Sequence, residues 1–285
     1  MVVQHNLTAM NSNRMLGVTT SSQSKLTERL SSGYKINRAA DDAAGLTISE
    51  KMRSQIRGLT QASANAQDGV SCVQTAEGAL AEVHDMLQRM NELAIKSANG
   101  TNTSADRVAI QKEINALVSE IDRVAQSTQF NTLSLLDGSF ASGKALQVGA
   151  ANKTEQTITI KISAMNSSSL NIASLKDVSL STSAGSKTLT TAAGAKAAIS
   201  LITAAIAKVS SQRSSLGAVQ NRLEHTIANL DNIVENTTAA ESAIRDTDMA
   251  STMVTYANNN ILAQAGQAML AQANQSNQGV LSLLG

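Results

Sequence analysis

"LAEVHDMLQRMNELA", residues 80–94, carries the pattern that decides the fold. Leu80, Val83, Leu87, Met90 and Ala94 step by three and four, so an α-helix places all five on one stripe. The same stepping reaches back through Ile56, Leu59, Ala66, Val70 and Val73 and predicts a single helix from about 46 to 97. At ~1.5 Å per residue, that helix is roughly 80 Å long. The loop "ANGTNT" (98–103) follows, and Thr103 with Asp106 three positions on forms a capping box that starts a second helix. Its seam is Ile110, Ile114, Leu117, Ile121 and Val124. A third run, Ile199, Ile202, Ile206, Val209, Leu216, Leu223, Ile227, Leu230 and Val234, obeys the same rule. Arg213 and Gln220 fall in two of its core slots, where polar side chains fix register at some cost in stability. An apolar side chain gains its ~1.5–3 kcal/mol only on burial, so the three helices are predicted to pack on one another.

Composition points the same way. The 285 residues include no proline, no tryptophan, two tyrosines and two phenylalanines. An average chain is about 5% proline, and its absence suits long uninterrupted helices. Aromatics normally dominate burial in large compact cores, so their scarcity favours a slender rod. The net charge of +1 offers no electrostatic footprint for nucleic acid or an anionic membrane, and neither partner is expected. Cys72 is the single cysteine, which rules out an internal disulfide; beside the seam residue Val73 it reads as a small packed residue. The opening "MVVQHNLTAM" lacks the basic region and apolar run of a secretory signal. No run approaches the ~18 apolar residues of a membrane span.

The pattern changes between the second and third helices. "LQVGAANKTEQTITIKI" (146–162) alternates apolar and polar residues on either side of a Gly, Asn and Lys loop, which predicts a β-hairpin. "LLDGSF" before it carries an Asp-Gly turn signal. From Ser163 to about Ala193 the chain is rich in Ser, Thr, Ala and Gly, with Leu170, Ile172, Leu175, Val178 and Leu180 scattered through it; this predicts a small surface segment. Residues 2–30 and 248–284 are helix-compatible, but Asn, Ser and Thr interrupt the seam of the first, and the second is rich in Ala, Asn and Gln. Such segments alone bury too little to offset chain entropy. They are expected to order against each other and against neighbouring subunits.

"ERLSSGYKINRAADDAAGLTISEKMRSQIRGLTQASANAQDGVS", "QTAEGALAEVHDMLQRMNELAIKSANGT", "TQFNTLSLL", "SSLGAVQNRLEHTIANL" and "ILAQAGQAMLAQANQSNQGVLSLL" closely resemble bacterial flagellin. The resemblance covers nearly the whole chain apart from about 137–195, and "MVVQHNLTAMNSNRML" looks more like short clostridial-type flagellins than enteric ones. It implies a mainly α fold: a long antiparallel helical coiled-coil rod with a small β-hairpin region, plus a terminal two-helix coiled-coil domain. By position, 1–45 resembles the N-terminal core-tube helix and connector, and 46–195 the first part of the rod, with 137–195 as a variable-type segment. Residues 196–247 resemble the returning rod helix and 248–285 the C-terminal core-tube helix. The outer domains of longer flagellins have no counterpart, which implies a thin, smooth filament.

The resemblance also implies function. The family's subunit passes unfolded through a type III export channel without a cleaved signal peptide, meets an export chaperone, a filament cap and hook-associated proteins, and polymerises into the extracellular filament used for swimming. Identical subunits joined by non-closing contacts form a helical polymer, and Leu7, Ile261, Leu270, Leu281 and Leu284 are the implied assembly residues. A vertebrate innate immune receptor, Toll-like receptor 5, recognises the family's rod; the matching positions are Arg89, Leu93 and Glu113. Asn91 stands where Arg is common and Lys96 where Gln is usual. Ser276 in "NQSNQ" replaces a usual proline, which lets the last helix run further toward the C-terminus. The alternatives are a hook-filament junction protein sharing these terminal helices and a free coiled-coil adhesin or binding module.

Enzymatic readings find little. His5, His84 and His225 lie in separate segments without HExxH or cysteine partners, so no metal or cofactor is expected. Ser22 to Lys25 and Ser32 to Lys35 match Ser-x-x-Lys, but the accompanying SDN and KTG elements are absent. The pair Asp41-Asp42 in "SSGYKINRAADDAAG" (31–45) lacks the concave, desolvated surroundings that a catalytic pair requires. It lies where a helix begins, and carboxylates favour that positive end. Gly33 is expected to end the preceding helix, with Lys35 and Arg38 pairing with the acids or across subunits. By resemblance this stretch is the connector between the inner and rod domains.

Overall fold

The computed structural model describes residues 6–176, 189 and 191–284, with side chains except at 192 and 276–284. Val178 and Leu180 lie outside the described residues. The elements are α1 (Leu7–Ser32), α2 (Ala43–Ala98), α3 (Ser104–Ser127), β1 (Gln129–Phe130), β2 (Leu133–Ser134), β3 (Lys144–Gln147), β4 (Thr157–Ile160), α4 (Ala192–Arg245) and α5 (Met249–Leu284). Two compact units share them: Met1–Ile56 with Glu235–Gly285, and Arg57–Val234. The helices α2 and α4 each contribute to both.

In the unit Arg57–Val234, the seams follow a strict seven-residue repeat. Leu59, Ala66, Val73, Leu80, Leu87 and Ala94 are all buried, as are Ala62, Ala76, Val83, Met90 and Ser97 on the adjoining row of α2. On α4 the buried row is Ala195, Ile202, Val209, Leu216, Leu223 and Leu230. A repeat of seven drifts slowly around a 3.6-residue helix, so the two seams stay in register only if the helices supercoil left-handedly. α2 meets α4 antiparallel, as Ser63 Oγ donating to Asp231 Oδ1 at 3.1 Å and Arg213 facing Glu77 at 3.5 Å show. Arg213 is only half-buried, and Gln220 donates to Glu224 on its own helix at 2.9 Å. The two polar seam residues therefore sit at the edge of the interface and not in core slots. The early part of α4 is long and apolar enough to cross a membrane by length and composition alone; its buried row packs in the core of this unit.

α3 begins at the expected capping box: Thr103 Oγ1 accepts from Asp106 N–H at 3.3 Å, and Asp106 Oδ2 accepts from Thr103 N–H at 3.0 Å. The Thr103 hydroxyl also donates to Asp106 Oδ2 at 2.7 Å, and this bond foremost, with that from the Thr103 N–H, holds the Asp106 carboxyl below its ordinary pKa. Its buried stripe is Ile110, Gln111, Ile114, Val118, Ile121 and Ala125. Leu117 and Val124, expected in the seam, are only half-buried, because the stripe turns one position toward Val118 and Ala125 as it passes under the loops.

The predicted hairpin is present as β3 and β4, antiparallel with Lys144 opposite Ile160 and Gln147 opposite Thr157. A second, shorter hairpin pairs Phe130 with Leu133 across Asn131 and Thr132, whose φ angles of 47° and 66° make a left-handed turn. The segment after β4 departs from expectation. Met165, Leu170, Ile172, Leu175 and Leu189 are buried in the same core as the helices, so this stretch is a packed lid and not a surface segment. It lacks a helical period, yet its backbone is well anchored. Gln111, fully buried, donates from Nε2 to Leu175 O at 2.6 Å and accepts Leu189 N–H at 2.9 Å. Ser97 Oγ donates to Leu189 O at 2.7 Å. Gln212 donates to Lys161 O at 3.0 Å, Asp122 accepts Ser167 N–H at 2.8 Å, and Lys208 donates to Ser169 O at 2.6 Å.

In the other unit, α1 and α5 lie antiparallel, with Asn6 Nδ2 donating to Ala273 O at 3.0 Å at one end and Tyr34 bridging Asp246 at the other. Their half-buried or buried positions again step by three and four: Ala9, Ser12, Leu16, Thr19, Gln23, Leu26 and Leu30 on α1, and Thr252, Tyr256, Asn259, Ala263, Gly266, Leu270 and Ala273 on α5. Small residues such as Ala9, Ser12, Ala263, Gly266 and Ala273 alternate with the larger ones and let the backbones approach. A Cβ added at Gly266 would lie 3.3 Å from Leu16 Cδ1. α5 runs as helix through Ser276.

Candidate functional site

Three features of the chain bear on function. The first is the connector. Gly33 ends α1 at φ 77°, its N–H donating to Arg29 O at 2.9 Å, a left-handed cap that glycine adopts without steric cost. Two backbone bonds then zip this stretch to the α4–α5 turn: Lys35 N–H to Arg245 O at 2.7 Å and Thr247 N–H to Gly33 O at 3.0 Å. The Arg245 guanidinium lies over the Tyr34 ring at 4.5 Å and reaches Glu50 at 3.3 Å.

The acids of the connector do not pair with its cations. Asp41 Oδ2 accepts the backbone N–H of Arg38 at 3.1 Å and of Asn37 at 3.3 Å. The Arg38 bond is the main reason that its carboxyl titrates below the ordinary value. Asp42 Oδ1 accepts Gly45 N–H at 2.9 Å and caps α2. Arg38 instead reaches back across the helix end to Glu28 at 2.9 Å, and Lys35 contributes its backbone. Carboxylates so placed satisfy orphan amide donors, which bonds with charged side chains ten residues away could not do. Gly45 is buried where a Cβ would come within 2.8 Å of Ile36 Cδ1, so the buried Ile36 locks the joint against α2.

The second feature is the outer surface of α1 and α5. Leu7 is 70% exposed and Ile261 65%, and Met10, Met15, Val18, Met253, Val254, Leu262 and Met269 are also exposed. Leu270 differs, lying half-buried in the seam between the two helices. The side chains of Leu281 and Leu284 lie outside the described residues. Periodicity alone hid this arrangement, because residues the eye takes for interruptions share the seam with Leu16, Leu26, Leu30 and Leu270, while other large apolar groups lie off it.

The third is an open groove of about 700 Å³ between α2 and α3, lined by Arg89, Leu93, Lys96, Asn102, Asp106 and Glu113 among others. Arg89 donates from Nε and Nη2 to Glu113 Oε1 at 3.0 and 2.9 Å and from Nη1 to Glu92 at 3.2 Å, bonds that raise its pKa further. Leu93 forms the floor and is 3% exposed. Among the described residues no three His, Cys, Asp or Glu side chains gather as metal ligands. Cys72 is buried, and burial raises its thiol pKa, which keeps it protonated and unreactive.

The family model for the bacterial flagellin N-terminal helical region matches residues 3–141, and that for the C-terminal helical region matches 199–284. The chain belongs to the flagellin family. It is 52% identical to a flagellin of Halalkalibacterium halodurans and 50% identical to a flagellin of Bacillus subtilis, each alignment covering the whole of both chains. A solved structure assigned as a flagellar hook-associated protein from Vibrio parahaemolyticus is similar over 72% of this chain and 100% of its own, with a TM-score of 0.57 at 15% identity, a likeness of fold. Flagellins are structural proteins, and this flagellin is a subunit of the extracellular bacterial flagellar filament, the organelle of swimming. The short length, without outer domains, fits the relatives that align end to end.

Proposed function

We propose that α1 and α5 form the assembly module through which this flagellin polymerises, with the unit Arg57–Val234 as the body each copy presents around it. The observation that carries this reading is the outward display of large apolar side chains by two helices whose mutual seam already holds its own leucines among small and polar residues. Leu7, Met10, Val18, Val254, Ile261 and Leu262 gain burial only against another chain. Leu270 would then act within the subunit, and Leu7 and Ile261 between subunits. The connector of Gly33, Lys35, Arg38, Asp41 and Asp42 serves this module by fixing how the chain leaves α1.

Electron microscopy of the purified chain after seeding or salting out tests the reading. Long filaments are expected from the full chain and none from a chain lacking 248–285 whose rod remains helical by circular dichroism. Intact polymerisation of that truncation would overturn it. The export chaperone, cap and hook-associated partners implied by the family, and export without a cleaved leader, belong to the same proposal.

The groove suits recognition by Toll-like receptor 5, with Arg89 and Glu113 as exposed, mutually oriented charges. Buried Leu93 would act from below, by holding α2 under them. Leu93→Ala removes core packing as well, so Arg89→Ala and Glu113→Ala are the cleaner probes. Loss of receptor binding with filaments intact is expected; loss of polymerisation with unchanged receptor binding would assign the pair to packing between subunits.

A further inference from the structure

The turn between α2 and α3 contains the chain's one Asn-Gly step, Asn99-Gly100. We propose that Asn99 is a self-modification site, converting through a succinimide to aspartate and isoaspartate. The reaction needs the nitrogen of the following residue to be free and unobstructed. Gly100 carries no side chain, is exposed, and has nothing within 4 Å of where a Cβ would stand. Its N–H has no hydrogen-bond partner among the described residues, although its neighbours are held: Asn99 N–H donates to Lys96 O at 3.3 Å and Thr101 N–H to Asn99 Oδ1 at 3.4 Å. That second bond also polarises the side-chain amide under attack.

The chemistry balances without a cofactor. The Gly100 nitrogen, deprotonated by base, attacks Cγ of Asn99; the new C–N bond forms as the C–NH₂ bond breaks, and ammonia leaves. Water then opens the ring at one carbonyl or the other, giving a carboxylate on the side chain or shifting the main chain through it.

Two other steps of similar sequence are protected by structure. At Asn166-Ser167 the Ser167 nitrogen is engaged by Asp122 at 2.8 Å. Asp68-Gly69 lies inside α2, where the helix holds the backbone and Leu146 Cδ1 would stand 2.3 Å from a Cβ on Gly69. The product also has a waiting partner. Arg107 Nη2 already donates to Asn99 O at 3.2 Å, and its Nε is buried without a hydrogen-bond partner among the described residues. A carboxylate at position 99 adds negative charge on the residue that this guanidinium already contacts.

The test is peptide mapping by mass spectrometry of the full chain held at mildly alkaline pH, with electron-transfer fragmentation to separate aspartate from isoaspartate. Conversion is expected first and most extensively in the peptide containing Asn99. Gly100→Ala, which meets open space, should slow it by an order of magnitude or more with circular dichroism unchanged. An unmodified Asn99 after other asparagines have converted, or an equal rate in Gly100→Ala, would overturn the proposal.

Discussion

The rod and the terminal pair use one rule with different contents. Both bring helices together along positions spaced by three and four. In the rod those positions hold Leu80, Leu87, Met90, Val209 and Leu223, and the large side chains vanish from solvent. In the terminal pair Ala9, Ser12, Thr19, Asn259 and Gly266 alternate with Leu16, Leu26, Leu30 and Leu270, and further large apolar side chains, Leu7 and Ile261 among them, are left outside. Period thus decides that two helices pair, while the large apolar residues left off the seam decide how much hydrophobic gain remains to be taken between chains.

The sharpest way to break this comparison is to truncate one large side chain in each region. Leu87→Ala should cost about 2–5 kcal/mol in guanidinium denaturation of the monomer, because it empties a closed core. Ile261→Ala should stay within about 0.5 kcal/mol in the same experiment, yet weaken polymerisation. Equal costs in the monomer would remove the distinction. A smaller effect tests how the rod holds its lid: Gln111→Ala leaves the Leu175 carbonyl and the Leu189 amide without partners and should cost about 1–3 kcal/mol. Faster amide exchange at Leu189, with α2 and α4 still protected, is the expected signature.

The smallest effect is electrostatic. Asp41 in the terminal unit and Asp106 in the rod both titrate below their ordinary values, chiefly through the Arg38 amide and the Thr103 hydroxyl. A depressed folded-state value means stabilisation fully present above the unfolded pKa of about 3.9 and lost as pH falls through the folded one. Acidification below pH ~4 should therefore loosen the α3 N-terminus and the connector turn before the buried seams respond. Asp106→Asn should abolish the acid-induced loss of amide protection at the start of α3, measured relative to intrinsic exchange rates.

What the sequence discloses follows the same division. The rod seams and the Thr103 to Asp106 cap are legible because they depend on residues close in sequence. The lid is not: Met165, Leu170, Ile172 and Leu175 have no period, and their burial is arranged by Gln111 and Ser97 from other elements. The Asn131-Thr132 turn is obscure because a β-branched residue rarely takes positive φ. In the candidate sites, Asp42 is readable as a helix start, but the Arg38 partner is not, since Glu28 lies ten residues back on a different element. The α1–α5 seam escapes because Ser, Thr and Asn look like interruptions when they are the spacing that lets the helices approach.

The fastenings of the lid have an evolutionary consequence. Gln111, Ser97, Gln212 and Lys208 grip the carbonyls of Lys161, Ser169, Leu175 and Leu189, atoms that every amino acid supplies. The grip is thus blind to side-chain identity on the lid: so long as a few apolar anchors remain, the intervening letters can be rewritten while the rod keeps hold of the peptide chain. Substitutions between those anchors need no matching change in the helices beneath.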